Sequence, residues 1–319
     1  MGFKDYVKVH DKYVVQLDSD RQPKLPAGHY QLHYIQEADQ LLFERISFNS
    51  DEILELPSKE FQLVAGQIDT FLGDDSRKLF NDYNFVYKRS VLMHGVPGTG
   101  KTILANRIAN KVVAGGGVVL FNPNPQILTK AFKVFDDIQP DTKIVVIFEE
   151  LDQLLKNYEG ELLHILDGEV QKDNIVYIAT TNYISKVPAR IMRPGRFSSI
   201  VQIQYPDAKC REYYLDKKIG HIDSKEEIKS IVKKTDGFSI DELKEVVLSN
   251  KCLQVPLDDV IGRINETKEL CKNDSTFNEY EDRYEDGPFR SDKYRLRDLM
   301  YEMRDAQEYQ ATNNIMGNK

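Results

Sequence analysis

Cysteine is scarce in this chain of 319 residues: Cys210, Cys252 and Cys271 lie far apart, with no Cys-x-x-Cys pair and no flanking His. That spacing offers no structural metal site and suggests a reducing compartment. Long apolar runs are missing too. No stretch approaches the ~20 apolar residues needed to cross a bilayer, and Met1-Gly2-Phe3-Lys4-Asp5-Tyr6 has no apolar core of the secretory-leader kind. A cytoplasmic protein with no membrane partner is the expectation. Positive charge is in deficit, with a formal net charge of −8 and a pI near 5.4. Nucleic acid and anionic membranes both select a cationic footprint, so neither is expected to cover the surface. A basic lining confined to a central channel would not show in that sum. No low-complexity tract is present, and 41% apolar with 29% charged residues is an ordinary globular composition. The length fits roughly two domains plus appendages.

What is present is a phosphate-binding pattern. Residues 95–102 read Gly-Val-Pro-Gly-Thr-Gly-Lys-Thr and fit G-x-x-x-x-G-K-[ST] at every fixed position. The apolar run Val91-Leu92-Met93 precedes it and the helical pattern Ile103 to Ala109 follows, the strand–loop–helix setting the motif needs. Glycines let backbone N–H groups curl around a polyphosphate, and the following helix points its positive end at that charge. Gly95, Val96, Pro97, Gly98, Thr99, Gly100, Lys101, Thr102 and Ile103 are therefore the candidate nucleotide-binding set. Lys101 is expected to neutralise the β- and γ-phosphates, and Thr102 to offer its hydroxyl to Mg²⁺.

Around the loop, apolar strand candidates Val91–His94, Val118–Phe121, Ile144–Phe148, Ile175–Ala179 and Ile200–Gln204 alternate with helical or loop segments. This is the pattern of a mostly parallel sheet covered on both faces, which binds ligands at its carboxyl strand ends. Polar residues fall at those ends. Ile144–Phe148 delivers Glu149-Glu150, which suits a Mg²⁺-associated acid followed by a base that polarises water. The alternative reading is a helix start enriched in acids. Asn182, closing Ala179-Thr180-Thr181-Asn182, is a candidate for contact with the γ-phosphate and attacking water, or else a turn cap. Arg193 and Arg196, on the Pro-Gly turn of Met192 to Phe197, are costly to bury unless paired. Presented to a neighbouring subunit they would stabilise transition-state charge.

Outside this core, residues 1 to about 55 carry β-rich stretches, Tyr13–Leu17, Tyr30–Ile35 and Leu41–Ile46, separated by turn-formers. They predict a small antiparallel module, and His10, His29 and His33 share no metal-ligand spacing. Ser58 to Phe71 predicts a helix with Phe61, Val64, Ile68 and Phe71 on one face. The aromatics of Tyr83 to Tyr87 suit adenine contact and packing equally. From 273 to 319 an acidic, tyrosine-rich stretch leads to a plausible helix, Asp292 to Gln310.

On these motifs the chain from about Leu56 to about Cys271 resembles an AAA ATPase of the AAA+ superfamily. The phosphate loop, Val146-Ile147-Phe148-Glu149-Glu150, Ala179 to Asn182 and Met192 to Phe197 correspond to Walker A, Walker B, sensor 1 and the second region of homology. The resemblance implies an α/β P-loop core, a five-stranded parallel sheet between helices, over 56–205. It also implies a small helical lid over 206–272, where Thr235-Asp236-Gly237-Phe238-Ser239 to Leu243 fits the lid pattern with Ile240 and Asp241 in place of small residues. The β-rich module spans 1–55, and an acidic linker with a helix spans 273–319. No sensor 2 arginine is evident.

The same resemblance implies a homo-oligomeric ring, a hexamer or occasionally a heptamer, with ATP and Mg²⁺ between subunits. Lys101, Thr102, Glu149, Glu150 and Asn182 would act from one side, and Arg193 and Arg196 as arginine fingers from the next. The segment from Asn122 to Pro140 lacks the aromatic–apolar–Gly pore loop of threading unfoldases. With the Phe-Glu-Glu strand end, this is similar to the Bcs-type branch, though the chain lacks that branch's amino-terminal membrane helix. An ATP hydrolase that remodels or moves a protein client is the leading expectation. A nucleotide-gated scaffold with slow hydrolysis and a nucleic-acid-dependent ATPase are the alternatives.

Overall fold

A computed structural model of the chain describes residues 5–9, 12–16, 24–36, 39–47, 54–167 and 172–273. The expectations for Asp18 to Asp20, His10 and the segment beyond Asn273 lie outside the described residues. Two units divide the chain, Met1–Gly262 and Arg263–Lys319. The first contains a sheet of nine strands: β1 (Asp5–Val9), β2 (Lys12–Gln16), β3 (Gly28–Ile35), β4 (Gln40–Ile46), β5 (Lys88–His94), β6 (Val118–Phe121), β7 (Ile144–Phe148), β8 (Ile175–Thr181) and β9 (Ser199–Gln202). Their order across the sheet is β1-β2-β4-β3-β6-β7-β8-β5-β9.

The half from β6 to β9 is parallel throughout. Every residue of β7 and β8 is buried, as expected for strands with helices on both faces. Those helices are α1 (Lys59–Leu72), α2 (Asp74–Asp82), α3 (Lys101–Ala114), α4 (Pro125–Ile138) and α5 (Leu151–Asp167). Helix α1 starts where Ser58 Oγ accepts from the Phe61 N–H at 3.1 Å, and it buries Phe61, Val64, Ile68 and Phe71. Tyr87 stacks on Phe71 with ring centroids 4.2 Å apart and donates its hydroxyl to the Phe71 carbonyl. It is a packing residue, whereas Tyr83 and Phe85 are 70% and 66% exposed.

The amino-terminal strands pair antiparallel with one another, β1 with β2, β2 with β4 and β3 with β4. They are nevertheless continuous with the core. Strand β3 runs parallel to β6, aligning Gly28 with Val118 and Tyr30 with Leu120. Without β3, β6 would present an open row of backbone donors and acceptors. Apolar burial follows the same route, because Phe43 on β4 is fully buried and packs edge-on against Phe135 of α4, 5.6 Å away.

After β9 the chain becomes helical: α6 (Ala208–Ile219), α7 (Lys225–Lys234), α8 (Ile240–Val247) and α9 (Leu257–Asn273). Asp207 caps α6 by accepting from the Cys210 N–H at 2.8 Å, and capping boxes start α7 (Ser224 with Glu227) and α8 (Ser239 with Glu242). Between α7 and α8, buried Thr235 and Phe238 flank Gly237, whose φ is 69°. In the second unit, the described end of α9 has the Thr267 hydroxyl donating to the Arg263 carbonyl at 2.9 Å.

Candidate functional site

Strand β5 runs through the loop 95–100 into α3, and only glycine suits two of the loop's positions. A Cβ on Gly95, at φ 149°, would lie 2.1 Å from the Ile203 carbonyl oxygen. Gly100 is left-handed, at φ 95°, where it starts α3. The Thr99 hydroxyl donates to the Val96 carbonyl at 2.9 Å. Lys101 reaches back over the loop, its ammonium donating to the Gly95 and Val96 carbonyls at 2.9 and 2.8 Å. Burial lowers the ammonium's pKa, and the nearby Asp241 charge opposes that shift.

A cavity of about 200 Å³ opens beside the loop. Pro97, Gly98, Gly100, Lys101, Thr102 and Ile103 line it from the loop and α3, with Glu149 and Glu150 from the end of β7. The end of β8 contributes Thr180, Thr181 and Asn182, and α8 contributes Asp241. Residues far apart in the chain therefore meet at one edge of the sheet, because parallel strands all end on the same side. Gly95, Val96 and Thr99 are outside the lining and shape the loop from behind.

Glu149 stands beside the Thr102 hydroxyl. Burial pushes the Glu149 carboxyl pKa up, the Thr102 hydroxyl pulls it down, and the Glu150 charge pushes it up again. Its Oε1 is buried and has no hydrogen-bond partner among the described residues. An orphaned carboxylate oxygen next to a threonine hydroxyl is a hard-oxygen donor set that fits Mg²⁺. Glu150 follows in the left-handed region, at φ 51°. That conformation is uncommon for a non-glycine residue and is typical of functional turns. Its carbonyl accepts from the Gln153 N–H at 2.8 Å, starting α5, while the side chain stays exposed at the cavity.

Three positioning residues were not singled out by sequence pattern. Asn122, just after β6, has φ 42° and accepts the Glu149 N–H on its Oδ1 at 2.7 Å. Buried Asp152, on α5, accepts from the buried Thr181 hydroxyl at 2.5 Å, and that hydroxyl accepts the Tyr183 N–H at 3.0 Å. These bonds fix the ends of β7 and β8, and with them Glu149 and Asn182. The available signals were an Asn directly after a strand, where left-handed backbone is more readily tolerated, and an acid at the second position of a helix that opens on leucines.

The structure does not bring the two predicted arginines to the cavity. Arg193 is exposed on its turn. Arg196 makes a two-point contact with Asp167 at the end of α5, Nη2 to Oδ2 at 2.6 Å, and donates to the Arg190 carbonyl. The turn is anchored to β5, with Ser90 Oγ donating to the Arg196 carbonyl and Ser198 Oγ donating to the Ser90 carbonyl at 2.9 Å. Among the described residues, no helix is long and apolar enough to cross a membrane.

Known proteins are similar to this chain in sequence. The family model described as "ATPase family associated with various cellular activities (AAA)" matches residues 91–205. ATPase family gene 2 protein homolog A of Homo sapiens is 28% identical over 225 residues, which is 63% of this chain and 23% of that protein. Protein CdcH of Halobacterium salinarum is 29% identical over 157 residues, 43% of this chain and 21% of that protein. ATPase family gene 2 protein of Saccharomyces cerevisiae is 29% identical over 206 residues, 56% and 26% respectively. The chain thus spans about a quarter or less of the length of the curated relatives it matches. Residues 91–205, which hold the loop, both acidic and polar strand ends and the arginine turn, match the AAA family of ATPases.

Proposed function

We propose that this chain binds ATP with Mg²⁺ in the cavity beside Gly95–Ile103 and hydrolyses it to ADP and phosphate. The observation that carries this reading is the convergence of Lys101, Thr102, Glu149, Glu150 and Asn182 on one cavity. Lys101 exchanges its loop carbonyls for the β- and γ-phosphate oxygens, and loop N–H groups hold the rest of the phosphate chain. Thr102 and Glu149 would hold the metal. When bound, the metal neutralises charge on the β- and γ-phosphates. Glu150 takes the proton of the attacking water, and Asn182 orients that water against the γ-phosphate.

Subunits assemble as a homo-oligomeric ring, six or seven to a turn. Arg193 and Arg196 of one subunit reach the γ-phosphate held by the next, Arg196 after leaving Asp167. The work of the ring is to remodel or move a protein client. The Phe148-Glu149-Glu150 strand end and the approach Asn84 to Arg89 support kinship with the Bcs-type branch.

The test is calorimetric nucleotide binding together with phosphate release. Lys101→Ala is expected to lose ATP binding. Glu150→Gln is expected to keep it while hydrolysis drops by at least about a hundredfold, the low end of what a general base contributes. Ordinary turnover by Glu150→Gln would remove that residue from the role of base.

A further inference from the structure

Asp241 has no part in the chemistry just described, yet it lines the same cavity from the start of α8. Its place there is set by backbone. The Ile240 and Asp241 N–H groups both donate to the Gly98 carbonyl of the phosphate loop, at 3.0 and 3.2 Å. A Cβ built on Gly98 would lie 3.1 Å from Asp241 Oδ2 and 2.9 Å from Ser239 Oγ, so lid and loop are already in contact. The charged side chains of the lining are then Lys101 against Glu149, Glu150 and Asp241, one cation to three carboxylates. Glu149 stands beside Thr102, on the side where the donor set fits a metal. Asp241 stands at Gly98, against the glycine-rich loop.

We propose that Asp241 is a specificity-determining residue that weakens binding of nucleotide lacking a divalent cation, so that the site retains the Mg²⁺-bound form and releases the bare diphosphate. This rests on the nucleotide reading of the cavity. The cause is like-charge repulsion in a partly enclosed cleft. Bare ADP brings about three negative charges to the carboxylate, and its magnesium complex about one. Repulsion therefore scales with the charge left uncancelled. Since its N–H and that of Ile240 are bonded to the Gly98 carbonyl, the residue cannot withdraw without breaking the contact between α8 and the loop.

The experiment titrates ADP into the full-length protein by calorimetry, once with a chelator and once with excess Mg²⁺, for wild type, Asp241→Asn and Asp241→Glu. Asp241→Asn is expected to tighten metal-free ADP about tenfold and the magnesium complex only about twofold. Asp241→Glu, which keeps the charge, is expected to retain the wild-type ratio of the two affinities. Equal changes for both forms in Asp241→Asn, weaker binding of metal-free ADP, or a Glu variant that behaves like the Asn variant would each overturn the inference. A wild-type chain that takes neither form of ADP would instead bring down the nucleotide reading and this inference with it.

Discussion

Asn122 shows how much one side chain decides at this site. It occupies a left-handed backbone position that asparagine tolerates better than most residues, and its amide oxygen holds the N–H of Glu149. Asn122→Ala removes the acceptor and puts alanine at φ 42°. A lost hydrogen bond with a stranded donor and the backbone cost together come to about 2–3 kcal/mol. Urea denaturation should show that loss, and Asn122→Asp, which keeps an acceptor, should recover most of it. A fully stable Asn122→Ala would mean that the 2.7 Å contact contributes nothing to holding the strand end. The glycines, Lys101, Thr102 and the Glu149-Glu150 pair were marked as candidates because the chemistry they suggest is written in adjacent residues. Asn122 was not, since its partner lies 27 positions away.

Between elements, the Thr181–Asp152 bond ties the end of β8, next to Asn182, to the first turn of α5. Both partners are buried. Thr181→Val keeps the shape and deletes the hydroxyl, leaving a buried carboxylate oxygen and the Tyr183 N–H short of partners. A cost of about 1–3 kcal/mol follows. Nucleotide affinity should stay within a few-fold of wild type while hydrolysis falls, because the loop and Lys101 are untouched and the two strand ends are not. Loss of binding in a variant that remains folded would place this pair in nucleotide capture instead. At this level, apolar runs and periodicity located α1, the start of α3 and the parallel strands of the core to within a few residues, but they left α4, read as a loop, and α5 unmarked. They could not say that β3 adds to β6, for strand pairing depends on a partner about 90 residues later in the chain.

For the assembled protein, the proposed seam between subunits makes a prediction that mixing can test. Arg193→Ala should lower hydrolysis roughly a thousandfold if the guanidinium acts across the seam. Combining inactive Arg193→Ala with inactive Glu150→Gln should then restore turnover, since some seams would pair an intact base with an intact arginine. A mixture no more active than its components would confine both residues to one subunit's own site. Arg196 starts from a different position, held by its contact with Asp167.

The order of residues alone marked out the candidate nucleotide site, because phosphate wrapping, metal ligation and water activation each need short contiguous patterns of particular side chains. The pairing of β3 with β6, the orphaned oxygen of Glu149 and the presence of Asp241 at the phosphate loop were decided by folding. Each arises where distant segments are forced together by the demand to bury apolar surface and to satisfy backbone hydrogen bonds, and no local stretch encodes which segments those are.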